Sequence, residues 1–218
     1  MGTEADRETA FSSWRASLQR LTDSPESSRL WRERRYHFAH RLGEALVGAV
    51  GERPPITGAA LYGVWLDWGL LYVGQTVEAE RRLRDLAIGE SHHLANTFPP
   101  EIWHRVVVIA WPQLAEAVAV SQELGVKTVG LALEHHLQTW ATPLANAARR
   151  TSEGGWRAVD RTRSASLGAR SAGAVEPLFA VVRSLWDAAA DWDAMLPALP
   201  EAVRCVRPGL LLDDPRPA

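Results

Sequence analysis

Residues 60–76, Ala-Leu-Tyr-Gly-Val-Trp-Leu-Asp-Trp-Gly-Leu-Leu-Tyr-Val-Gly-Gln-Thr, decide the fold. Two short aliphatic and aromatic runs flank Asp67-Trp68-Gly69, and such runs around an Asp/Gly turn predict a β-hairpin. Thr76 stands where the cap of a following helix is expected. Residues 77–87 then place Ala79, Leu83, Leu86 and Ala87 on one helical face, with Arg81, Arg82 and Arg84 beside or opposite it.

Outward from the hairpin, residues 88–101 read as a loop, and residues 103–111 as a Val-rich strand closed by Pro112. Helices are expected over 113–124 and 128–140. The second carries an apolar stripe of Val129, Leu133, Leu137 and Trp140, with Glu134 and Gln138 at its edge, and Thr142-Pro143 ends it. Upstream, residues 5–50 read as helical around a break at 24–28, with Ser28 as the expected cap, and residues 51–58 as a Pro/Gly linker. Downstream, residues 147–173 read as a basic loop and 175–196 as a last amphipathic helix. The expected fold is α+β: a small, mostly antiparallel three-stranded sheet, hairpin plus one strand, flanked by helices. The expected divisions are an N-terminal helical extension (1–57), a core (58–148), and a basic loop with a C-terminal helical extension (149–218).

Composition narrows the function. The chain has 218 residues, 46% hydrophobic and 23% charged, which suits an ordinary globular domain. A single cysteine, Cys205, excludes a disulfide framework and a multi-cysteine zinc site. No apolar run reaches membrane-spanning length, and the polar N-terminus lacks a secretory pattern, so a cytoplasmic location is expected. A net charge of −2 excludes a globally basic nucleic-acid binder, but not a locally basic one. Lys127 is the only lysine among 24 basic residues, and Arg149, Arg150, Arg157, Arg161 and Arg163 cluster among Ser, Gly and Ala. Arginine is the better bidentate phosphate ligand, so this cluster is the candidate DNA-binding surface; a solvated loop is its plain alternative.

Tyr62 and Tyr72 lie on the two runs of the hairpin, and Tyr72-Val73-Gly74-Gln75-Thr76 closes it. Arg82 follows Tyr72 by ten residues. Glu134 lies on a later helix, and Pro143-Leu144-Ala145-Asn146 places Asn146 twelve residues after Glu134. These landmarks, in this order, resemble the GIY-YIG nuclease family over roughly residues 58–148. The resemblance implies a small α+β core that hydrolyses DNA phosphodiesters with one divalent metal, Mg²⁺ or Mn²⁺, and no small-molecule cofactor. By the same resemblance Tyr62, Tyr72 and Arg82 are catalytic, Glu134 holds the metal, and Asn146 completes the site. The sequence departs from the family twice. Ala60-Leu61-Tyr62 lacks the glycine of the first motif; placing that motif on Gly63-Val64-Trp65 restores it but leaves only six residues before Tyr72. Leu86 stands where the family often has His or Tyr, and His92 and His93 in the next loop are the candidates to take that role.

The chemistry stands without the name. One carboxylate suffices for Mg²⁺, which keeps several waters and takes ligands from phosphate. An arginine stabilises the charge that develops on the phosphoryl oxygens. A tyrosine beside an arginine and a metal is expected to fall from its ordinary pKa of about 10 far enough to act as a base. By analogy to the architecture of the family it resembles, the compact size points to restriction or phage defence on duplex DNA, with a homodimer if both strands are cut. The alternatives are a DNA repair or structure-specific nuclease, an inactive DNA-binding module of the same fold, and a small-molecule enzyme or interaction domain with chance matches.

Overall fold

The computed structural model describes residues 3–89, 94–150, 153, 155–161, 164–192 and 199–212, with the side chains of Arg7, Arg149, Arg150 and Trp156 outside that description. Two compact units emerge, one built on Met1–Phe38 and the other on Ala39–Pro217.

The first unit holds α1 (Glu4–Leu21) and the start of α2 (Pro25–Val47). A reciprocal cap opens α1: Asp6 N donates to Thr3 Oγ1 at 3.2 Å and Thr3 N donates to Asp6 Oδ2 at 2.7 Å. Ser24, rather than the expected Ser28, opens α2. Its hydroxyl accepts from Ser27 N at 3.1 Å, and Pro25 fits the first turn because its missing N–H has no helical partner there.

The second unit continues through β1 (Ala60–Leu66), β2 (Gly69–Thr76), α3 (Ala79–Leu86), α4 (Leu94–Thr97) and β3 (Arg105–Ile109). Then come α5 (Ala117–Leu124), α6 (Val126–Ala141), β4 (Ala148–Arg150), β5 (Trp156–Ala158), α7 (Leu167–Ser171), α8 (Glu176–Ala190), β6 (Val203–Val206) and α9 (Gly209–Leu212). No helix among the described residues is long and apolar enough to cross a membrane.

The fold is α+β, and its main sheet is antiparallel throughout, in the order β2-β1-β3-β6. It has four strands rather than three. The fourth, β6, comes from the C-terminal stretch and pairs Val203 with Ile109 and Val206 with Val106. The basic loop also contains more structure than its composition suggests: β4 and β5 form a small hairpin, and α7 follows. Thr76 ends β2 instead of capping α3 directly; its hydroxyl accepts from Glu78 N at 3.0 Å, a turn that launches the helix at Ala79.

Strand alternation divides the sheet. Leu61, Trp65, Val73, Val107 and Ile109 share one apolar core with Val129, Leu133 and Leu137 of α6 and with Leu178, Val182 and Trp186 of α8. Trp186 lies 5.0 Å from Trp65, ring centre to ring centre. It reaches so close to β1 that a Cβ on Gly63 would fall 2.4 Å from its ring. Buried arginines tie the second unit together. Arg105 on β3 donates to the carbonyls of Ala189 (3.0 Å) and Ala190 at the end of α8, where a cation meets the negative end of the helix dipole. Arg204 on β6 donates to Gly48 O and Pro54 O.

Candidate active site

Register brings the two tyrosines to one face. Tyr62 pairs with Gly74 and Val64 with Tyr72, so Tyr62 and Tyr72 are diagonal neighbours on adjacent strands. Their ring centres are 5.9 Å apart. This is the face opposite the α6/α8 core. Gly74 makes the approach possible: a Cβ there would lie 2.6 Å from Tyr62 Cζ and 2.7 Å from its oxygen. Gly74→Ala is therefore expected to cost about 1–3 kcal/mol of overpacking and to displace the Tyr62 hydroxyl. Denaturant unfolding and tyrosine ultraviolet titration together check both parts.

Arg82 closes the pair from α3. Ala79, Leu83 and Leu86 bury one side of this helix, which leaves Arg82 half-buried above the sheet. Its Nε donates to Tyr62 Oη at 3.2 Å. The Tyr72 hydroxyl donates to the same oxygen. Two donors thus converge on Tyr62, and that arrangement favours a tyrosinate there.

Burial outweighs these donors. Tyr62 is fully buried, and desolvation pushes its pKa above the ordinary value; Arg82 and the Tyr72 hydrogen bond pull it back only in part. Tyr72 is shifted up as well, first by burial and then by Tyr62 and the Glu134 charge. Arg82 alone does not supply the fall in pKa expected beside an arginine and a metal. Removing a phenolate from water costs more than one half-buried guanidinium returns.

Glu134 projects from α6, one residue past the buried Leu133, and is half-buried. Its charge acts on both tyrosines, which places it in the same electrostatic neighbourhood. Gln138, one turn later, donates to Glu134 Oε1 at 3.1 Å and to Val73 O at 3.0 Å. Among the described residues no three His, Cys, Asp or Glu side chains come together. A cation here would take Glu134 as its protein ligand and complete its shell with water and phosphate oxygens. Such a donor set fits Mg²⁺ or Mn²⁺ and does not fit zinc.

Asn146, whose role by the resemblance is itself partly structural, sits against β2. β2 is an edge strand, and Asn146 pairs with it as another strand would: Oδ1 accepts from Val73 N at 2.9 Å and Nδ2 donates to Val73 O at 3.1 Å. The chain reaches this position through Thr142, whose left-handed backbone (φ 45°) ends α6, and then Pro143. Asn146→Ala is expected to lose about 1–3 kcal/mol, because it orphans Val73 N and takes one of two donors from Val73 O, with little change in DNA affinity. Chemical denaturation set beside DNA binding checks it.

Arg161 also leaves its expected role. It is half-buried and donates to Gln138 Oε1 and, at 2.5 Å, to Asn146 O, so it braces the residues that orient Glu134. Beside it lies a cavity of about 240 Å³ lined by Glu134, His135, Gln138, Arg161, Ser164 and Ser166 among others. Burial lowers the His135 pKa first, and His136 and Arg161 lower it further. His136 donates to Ala172 O at 2.9 Å and stacks on Phe179, a structural position. Arg157 is exposed, and the β4–β5 register pairs it with Arg149. His92, His93 and Arg163 lie outside the described residues, as do the side chains of Arg149 and Arg150. Leu86 is fully buried in α3.

The structure therefore brings Tyr62, Tyr72 and Arg82 together, with the Glu134 charge acting on both tyrosines, and adds Gly74, Gln138 and Arg161 as supports. Gln138 was visible as a polar residue on an apolar stripe. Nothing local in the sequence marked Arg161. No family model, curated protein or solved structure matches the chain.

Proposed function

We propose that the chain is a metal-dependent DNA endonuclease that hydrolyses phosphodiester bonds, acting in the cytoplasm in restriction or phage defence. One observation carries the reading: Arg82 and Tyr72 both donate to the Tyr62 oxygen, and the Glu134 charge acts on the same pair. A buried tyrosine pair joined to an arginine and a carboxylate suits proton transfer beside a phosphate.

Tyr72 is the more exposed of the two tyrosines and meets the attacking water; Tyr62 beneath it receives the hydrogen bond and orients it. The water's proton passes to the tyrosine pair, whose conjugate base Arg82 stabilises. Arg82 also faces the phosphoryl oxygens, where negative charge grows in the transition state. Glu134, oriented by Gln138, would hold the metal, which when bound supplies Lewis-acid polarisation of the phosphate and a more acidic water. Arg157, exposed on the β4–β5 hairpin, would add a cation for the DNA backbone.

The test is cleavage of supercoiled plasmid, unmodified and modified, with Mg²⁺ or Mn²⁺, against EDTA. Because both tyrosines are shifted upward, the base is mostly protonated at neutral pH. The cleavage rate is expected to rise by about tenfold per pH unit from 7 to 9, provided the chemical step is limiting. A flat profile with active protein would remove the tyrosines from the base role. The upward shifts favour one competing reading, an inactive DNA-binding module. It predicts salt-sensitive DNA binding with no metal-dependent cutting.

A further inference from the structure

Three side chains close a hydrogen-bonded ring on the backbone of Val73, the residue after Tyr72. Gln138 Nε2 donates to Val73 O at 3.0 Å. Gln138 Oε1 accepts from one terminal nitrogen of Arg161, and the other donates to Asn146 O at 2.5 Å. Asn146 returns to Val73 through both atoms of its amide, at 2.9 and 3.1 Å. From this ring a further bond runs to the metal-site carboxylate: Gln138 Nε2 donates to Glu134 Oε1 at 3.1 Å. The edge strand β2, the helix α6 and the segment after β5 therefore meet at one point.

The amide orientation of Gln138 matters because the residue is only 7% exposed. Turned by half a rotation, the amide would aim its oxygen at a carboxylate and a carbonyl, and its NH₂ group at a guanidinium. The observed orientation leaves the oxygen to Arg161. Without that donor the oxygen is buried and unmet. The amide then gains by swinging into the adjoining cavity, which Gln138, Glu134 and Arg161 all line, and Glu134 loses the bond that aims it. Charge does not replace this geometry. Lysine keeps the charge but lacks the planar fork that serves two fixed acceptors on different segments.

We infer that Arg161 is a positioning residue for Glu134: by closing this ring it sets the carboxylate of α6 against Tyr72 of β2. A residue beyond the stretch 58–148 thus completes the site. This role rests on the nuclease reading, because it needs Glu134 to hold the metal.

Mn²⁺ titrated into the full chain without DNA, with paramagnetic resonance counting the free ion, reads the role apart from cleavage. The site is the binding that Glu134→Ala removes. Arg161→Lys is expected to weaken that binding about 10- to 100-fold, and Gln138→Leu by a similar factor. The two together should weaken it no further than either alone, because both open the same ring. Arg170→Lys, at an exposed position on α7, is the control, and urea unfolding confirms that folded proteins are compared. In plasmid cleavage the Mn²⁺ concentration for half-maximal rate should rise by the same factor, with a smaller change in the rate at saturating Mn²⁺. Parental Mn²⁺ binding in Arg161→Lys, or losses that add in the double variant, would overturn the role of Arg161 and leave Glu134 as the ligand. A parent chain with no binding that Glu134→Ala removes would take the metal from Glu134 and overturn both.

Discussion

Glu134→Ala is expected to abolish metal-dependent cleavage, lowering the rate at least about 100-fold while the fold persists. Glu134 is half-buried on α6, and the bond from Gln138 Nε2 to Val73 O remains after the substitution, so the edge of β2 stays supported. The expected loss of stability is small, about 1 kcal/mol or less. Glu134→Gln gives a second, independent readout. The Glu134 charge raises both tyrosines, so removing it should lower their pKa values, which ultraviolet titration reads directly. A variant that still cuts at the parental rate would take the metal away from Glu134. A variant whose tyrosines titrate as before would take Glu134 out of their neighbourhood altogether.

Tyr62→Phe is expected to lower the single-turnover cleavage rate by about 100- to 10,000-fold with DNA affinity nearly unchanged. The substitution removes the oxygen that receives both Arg82 Nε–H and the Tyr72 hydroxyl. It also leaves buried donors without their acceptor, so it should cost about 1–3 kcal/mol of stability. Tyr72→Phe separates the two roles. It spares the Arg82–Tyr62 bond, so a smaller stability loss with a comparable rate loss would place the proton-transfer step at the more exposed hydroxyl. Tyr36→Phe, at an exposed position in the first unit, is the control and should change neither quantity. If Tyr62→Phe cuts as well as the parent protein, the pair is a packing feature of the hairpin and the nuclease mechanism fails.

Local order was the readable part. The hairpin at 60–76 was legible because each strand, and the turn between them, is written in consecutive residues. The helices over α3, α6 and α8 were legible because apolar residues recur at a period that only a helix brings to one side. The same pattern put Tyr62 and Tyr72 on neighbouring strands and Arg82 one helix later. It failed at β6, where Val203–Val206 is short, is interrupted by an arginine, and acquires its strand identity only by pairing with β3 nearly a hundred residues earlier in the chain. The arginines failed similarly. Arg105, Arg161 and Arg204 look like surface cations, but each is turned inward onto backbone carbonyls that the tertiary fold places within reach.

By itself the sequence determined the α+β class, the hairpin, the helical periods and the spacing of tyrosine, arginine, glutamate and asparagine. These follow from steric and hydrophobic preferences that act within a few residues. Only the tertiary structure decided which of those residues meet. It set Arg82 and Tyr72 on one phenolic oxygen, turned Asn146 into a clamp on the edge strand, and raised the tyrosine pKa values by burying both rings. Those outcomes depend on desolvation and on contacts between distant segments, and both exist only once the chain has closed around them.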